Sequence, residues 1–208
     1  MRIRRAHLGI LVLLLATSVI ATAQDTWQKE CAELGVLLKW QPGDTVADIG
    51  AGKGKLTTLV AERIGVSGRV YATEMDLQNL AVLQELSTKQ PNIHPVKASN
   101  SDTNLPHLSC DSVYMRLVYH HFTEPKEMDS SLLQSVKHGG RLAVIDQEPR
   151  KGTPIPDGVP KNRLGHGIPQ KLLISELKHA GFKVETIENN WPGSDEYHPM
   201  YCVVFLKR

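Results

Sequence analysis

The chain reads as an α/β protein, doubly wound, with a mostly parallel seven-stranded sheet, helices on both faces and an antiparallel β-hairpin at the end. Three observations predict this architecture. Apolar, β-branched runs of strand length alternate with segments of helical period. A glycine-rich turn joins the first such strand to its helix. The last two strand-like runs have only a short Trp191-Pro192-Gly193-Ser194 turn region between them, so they pair antiparallel.

Residues 1–23 stand apart from that pattern. Arg2, Arg4 and Arg5 lead into an apolar run from Leu8 to Ile20 that ends in Ala21-Thr22-Ala23. A positive start, a short apolar core and a small-residue site describe a secretory signal peptide cleaved near Ala23, and hence an exported protein. The run is short for a membrane span, so the mature form, 24–208, is expected to have none; an uncleaved anchor is the competing reading. The leader also carries the formal charge of +2. Without its three arginines, acidic and basic side chains nearly balance, and no basic run with interleaved aromatics occurs. Nucleic acid is therefore not an expected partner.

The elements follow in order. Residues 25–40 predict a helix with Ala32, Val36 and Leu37 inward. Strands are expected at 45–49, 69–74, 93–98, 109–118, 141–146, 182–189 and 201–206. Between them, helices are expected at 55–64, 76–90, 125–137 and 169–181; Pro125 and Gly139-Gly140 bracket the third of these. Residues 149–168 hold Pro149, Pro154, Pro156 and Pro160 among several glycines and read as a lid or binding loop. Cys31, Cys110 and Cys202 are scattered, with no C-x-x-C and no local His/Cys cluster, so buried thiols and no metal site are expected.

The chemistry concentrates around Asp48-Ile49-Gly50-Ala51-Gly52-Lys53-Gly54 and Glu74. Glycines strip the turn of Cβ atoms, so backbone can meet a ligand closely. The following helix turns its N-terminal N–H groups toward that turn. An acid ending the second strand is where such folds hold ribose hydroxyls. The spacing is G-x-G-x-G rather than the dinucleotide G-x-G-x-x-G, with an acid just ahead of the first glycine.

That combination resembles the first motif of class I S-adenosylmethionine-dependent methyltransferases, a Rossmann-like family, and the element order extends the resemblance over 24–208. The resemblance implies S-adenosyl-L-methionine as cofactor. Gly50, Ala51, Gly52 and Gly54 would cradle its methionine tail, with Asp48 toward the ammonium. Glu74 would clasp the ribose and Met75 would lie on the adenine edge. The family's acid after the third strand is missing here; Ser99 or Asn100 takes its place. Residues 110–121 resemble the fourth-strand block, which implies Met115 and Arg116 beside the cofactor and Tyr119, His120 and His121 nearest the substrate. Either histidine could act as general base. Asp146, Glu148 and His166 are further acceptor-side candidates, and Trp191, Tyr197 and Tyr201 are placed near the long loop. The acceptor is expected to be a small molecule. Two other readings compete: an exported ligand-binding protein without turnover, and an isoaspartyl repair methyltransferase, whose Ser/Gln-rich N-terminal loop this chain lacks.

Overall fold

Strand alternation decides which layer each side chain joins. In the computed structural model, which describes residues 25–150, 152–195 and 198–208, strand β1 (Thr45–Ile49) sends Val46 into one apolar layer and Ala47 and Ile49 into the other. Strands β4 (Cys110–Arg116) and β5 (Val136–Gln147) repeat the split: Tyr114, Ala143 and Ile145 against Val113, Met115, Leu142 and Val144. The first layer is covered by α1 (residues 25–37), α2 (Lys55–Ile64) and α3 (Leu77–Lys89); the second by α4 (Pro125–Ser135) and α5 (Gln170–Ala180). Each fully buried aliphatic side chain here contributes about 1.5–3 kcal/mol.

With β2 (Arg69–Glu74), β3 (Ile93–Lys97), β6 (Phe182–Glu188) and β7 (Met200–Lys207), the sheet has seven strands in the order β3-β2-β1-β4-β5-β7-β6. The five strands β1 to β5 run parallel, and β7 lies antiparallel between β5 and β6. The predicted α/β doubly wound sheet with helices on both faces and an antiparallel closing pair is therefore observed. Pro169 and Gly181 cap α5, as their conformational limits require. Cys31, Cys110 and Cys202 are buried free thiols.

Two local expectations change. The inward face of α1 is Glu30, Cys31 and Leu34, with Leu38 just after it; Ala32 and Val36 face solvent, Val36 at 67% exposure. Helical spacing allows both apolar sets, and the packing partners on the sheet select one. The second change is at the start of β5. Helix α4 stops at Ser135 rather than 137, and Gly139-Gly140 sit inside β5. The pairing passes from Cys110–Val136 to Ser112–Arg141, so the glycines absorb an irregularity in the ladder instead of ending a helix. The expected leader, 1–23, and Tyr197 lie outside the described residues.

Candidate active site

The strand order reverses between β1 and β4, and the C-terminal ends of these strands open a crevice, the usual ligand position in such sheets. The turn after β1 forms its floor. Gly50, Gly52 and Gly54 all have positive φ, at 70°, 55° and 75°, yet for different reasons. A Cβ on Gly50 would sit 2.6 Å from Val118 Cγ2, and one on Gly54 2.6 Å from Leu86 Cδ1; around Gly52 nothing lies within 4 Å. Gly50 and Gly54 answer to packing. Gly52 presents bare backbone to open space.

Glu74 closes the other side. Its Oε2 accepts the Gly52 N–H at 2.8 Å, and Oε1 accepts the Met75 and Asp76 N–H groups at 2.7 and 3.0 Å. The carboxylate is thus bonded directly to the glycine turn, and Oε2 keeps a lone pair for a ligand hydroxyl.

Two lobes meet at Gly50. One, of ≈ 280 Å³, is lined by Trp27, Asp48, Ala51, Gly52, Lys55 and Arg116; the other, of ≈ 180 Å³, by Glu74, Met75, Ser99, Val118 and Phe122. Asp48 is buried at the floor of the first, where Thr57 Oγ1 donates to its Oδ2 at 2.6 Å. Burial pushes its carboxyl up to about 6; the Thr57 hydroxyl opposes the rise and the Glu74 carboxylate adds to it. Arg116 lies with its guanidinium 4.5 Å from the Trp27 ring centroid and donates from Nε to Glu30 Oε2 at 2.7 Å. Trp191 Nε1 donates to the same oxygen at 2.9 Å. Trp191 is therefore buried behind α1 and is not an acceptor-loop residue. Trp27 and Glu30 are absent from the sequence expectations because only the fold brings α1 over the crevice; Lys55, at the start of α2, also lines it.

A larger cleft, of ≈ 550 Å³, opens at the opposite edge of the strands, between Thr45, Arg69, Asn92 and His94. It lies at the N-terminal strand ends, away from the glycine turn, and the chemistry favours the smaller crevice despite the volumes.

Several predicted residues sit elsewhere. Met115 is fully buried in the α4–α5 layer, and Asn100 is exposed; neither lines a lobe. Alternation explains Met115, since Tyr114 takes the other face. Tyr119 is also buried, and its hydroxyl donates toward Asp129 and Glu176 at 2.9 and 3.0 Å, tying α4 to α5. That side chain lines neither lobe. Tyr201 is buried and donates its hydroxyl to the Ile168 carbonyl, and Glu148 accepts the Gln170 N–H at the start of α5.

His120, His121 and His166 come together. Their ring centroids are 4.1, 4.7 and 5.1 Å apart. His120 is buried, with Nδ1 2.7 Å from Asp146 Oδ1, while its Nε2 is buried without a partner. Burial lowers the His121 pKa to about 4, with His120 and His166 adding to the fall; burial likewise lowers that of His166. Both shifts favour the neutral imidazole.

Residues 47–144 match the family described as "Methyltransferase domain". The ubiquinone/menaquinone biosynthesis C-methyltransferase of Vibrio cholerae is 26% identical over 109 residues, 51% of this chain and 42% of that protein. The chain thus spans less than half the length of this relative. Among solved structures, a SAM-dependent methyltransferase of Aquifex aeolicus superposes with a TM-score of 0.69 at 22% identity, covering 90% of this chain and 96% of that one. The phosphoethanolamine N-methyltransferase 2 of Haemonchus contortus, in complex with phosphomonomethylethanolamine and S-adenosylhomocysteine, superposes at 0.69 with 16% identity over 87% of this chain and 52% of that one.

Proposed function

From the match of residues 47–144 to a methyltransferase domain and the shared fold, we propose that the chain is a class I S-adenosylmethionine-dependent methyltransferase that transfers a methyl group from S-adenosyl-L-methionine to a small-molecule acceptor. The observation that carries this reading is the open space at the Gly52 Cα, beside the Glu74 carboxylate that holds the Gly52 N–H. When bound, the cofactor supplies an electrophilic methyl on a sulfonium.

The residues present fit such a ligand. Glu74 Oε2 accepts a ribose hydroxyl while holding the Gly52 N–H. Met75 and Ser99 line the lobe on the adenosine side. On the other side, Asp48 meets an ammonium, and Lys55 with Arg116 supplies positive charge for a carboxylate. Methyl transfer is an in-line displacement, so positioning and exclusion of water do most of the work. An acceptor that arrives protonated must lose that proton for the transfer to occur.

The matched region, 47–144, holds the glycine turn and Glu74. The loop from 149 to 168 and strands β6 and β7 lie outside it, so the relatives' acceptors carry no weight for this chain. Export after cleavage near Ala23 belongs to the same proposal, and mass spectrometry of the secreted or periplasmic form would show an N-terminus at Gln24.

Isothermal titration with S-adenosylmethionine and with S-adenosylhomocysteine tests the assignment. Both are expected to bind, and Glu74→Ala to weaken each by about 10- to 100-fold, as loss of charged hydrogen bonds implies. No heat with either compound, in a folded protein, removes the methyltransferase reading. Binding without turnover on any acceptor leaves the non-catalytic binding protein.

A further inference from the structure

The imidazole cluster has a property the methyl-transfer reading does not use. His120, His121 and His166 each offer a nitrogen, and the three nitrogens lie within 4.8 Å of one another. From these positions we infer that the three histidines form a binding site for a divalent metal ion of the zinc class, with a coordination position left open on the acceptor side.

The strongest element is His120. Asp146 is saturated by N–H donors: Oδ1 takes His120 Nδ1–H at 2.7 Å and the Gln147 N–H at 2.8 Å, and Oδ2 takes the His120 N–H at 3.2 Å. An acceptor so placed fixes the proton on Nδ1 and leaves the Nε2 lone pair aimed at the other two rings. That Nε2 is buried and has no hydrogen-bond partner. A buried polar atom without a partner costs about 1–3 kcal/mol, and a metal ion removes that cost. Carboxylate behind imidazole is also the usual support of a metal-ligating histidine.

His166 is delivered by the long loop through a specific backbone fit. The loop pairs with the end of β5: Ile168 N–H donates to the Gln147 carbonyl at 2.9 Å, and Arg150 N–H to the His166 carbonyl at 3.3 Å. Its neighbour Gly167 has φ +133°, and a Cβ there would lie 2.7 and 2.8 Å from the Glu148 and Gln147 carbonyl oxygens. Only glycine lets the loop press this close and seat the ring. His121 is the solvent-exposed member.

Zinc–imidazole bonds of about 2.0–2.1 Å place tetrahedral ligand nitrogens about 3.3 Å apart. The observed spread closes by rotating His121 and His166 toward the fixed His120. Three imidazoles suit zinc, copper, iron or nickel rather than magnesium or calcium. Among the described residues no carboxylate or thiol joins the three ligands. Three protein ligands with an open position are the arrangement of catalytic rather than structural zinc. One consequence rests on the methyltransferase reading: the open position takes the acceptor's oxygen or sulfur as an anion, its proton passing to solvent.

The test uses the full chain stripped with a chelator and titrated with Co2+, followed by visible absorption, and then with Zn2+ in competition. The expected result is one Co2+ per chain with the intense visible bands of a low-coordinate nitrogen site, displaced by Zn2+. His166→Ala should abolish these bands. Asp146→Asn should weaken Co2+ binding by about 10- to 100-fold. Because Asp146 is buried and that variant can misfold, His166→Ala on the loop is the deciding substitution, with circular dichroism to confirm its fold. Absence of Co2+ bands in the wild-type protein, or bands that survive His166→Ala, overturns the site. Titration of the metal-free chain with S-adenosylhomocysteine reads the cofactor assignment separately, so the two can fail independently.

Discussion

The two halves of this site are built in opposite ways. The cofactor half is nearly continuous: Asp48, Gly50 and Gly52 lie within one turn, and Glu74 follows one helix later on the adjacent strand. The acceptor half is assembled from afar. His120 follows β4, Asp146 is the last but one residue of β5, and His166 arrives on a loop bonded to the C-terminal end of β5. Backbone shapes the first half, where the bare Cα of Gly52 leaves room beside the Asp48 and Glu74 carboxylates. Side chains make the second. A backbone site has to be written as local spacing; a side-chain cluster needs only that the fold bring three rings together.

That contrast predicts separable failures. Gly52→Val gives the largest effect. Its side chain would occupy the open space at the turn, and φ of 55° is strained for a β-branched residue. S-Adenosylhomocysteine affinity is expected to fall more than about 100-fold, or about 2.7 kcal/mol, with the circular dichroism spectrum preserved. Normal binding by this variant would falsify the cofactor placement. Gly167→Ala acts on the other half. Its Cβ meets two carbonyl oxygens, so the loop must shift and carry His166 with it. Titration should find S-adenosylhomocysteine affinity within about twofold of wild type, set by residues this loop does not touch, while Co2+ bands and any acceptor turnover are lost. A parallel loss of cofactor affinity would mean that the halves are one unit.

The same contrast explains what could be read from the residues alone. Seven strands, the order of their helices, the glycine turn and Glu74 were legible because period, Gly placement and strand-end acids are local signals. Met115 was misassigned because a one-residue step flips a strand side chain to the other layer, and no local cue separates it from Tyr114. Tyr119 was misassigned because its partners Asp129 and Glu176 lie on two helices that only tertiary packing joins. Glu30 was invisible for the same reason, as its partners Arg116 and Trp191 are 86 and 161 residues away. The absence of a C-x-x-C or a local His/Cys cluster pointed away from metal, but that rule covers only ligands close in sequence. The His120-His121 pair, and His166 between Gly165 and Gly167, were the cues to the imidazole cluster.

The smallest predicted effect concerns Asp48, and its sign can be worked out. Burial raises its carboxyl from the ordinary 3.8 to about 6 in the folded chain. Between those values the folded state holds a proton that the unfolded chain has released, so this group's ionisation lowers stability as pH rises through the window. An arriving ammonium acts in the opposite sense, because it pairs only with the ionised form. Cofactor affinity should therefore be level above about pH 7 and fall by up to about tenfold per pH unit below about pH 6. Asp48→Asn should lower affinity at neutral pH by about tenfold and flatten that dependence. Calorimetric titration of both proteins with S-adenosylhomocysteine between pH 5 and 8 checks it. An unchanged slope in the Asn variant would place the titrating group elsewhere and leave Asp48 as a buried partner of Thr57 that holds the turn.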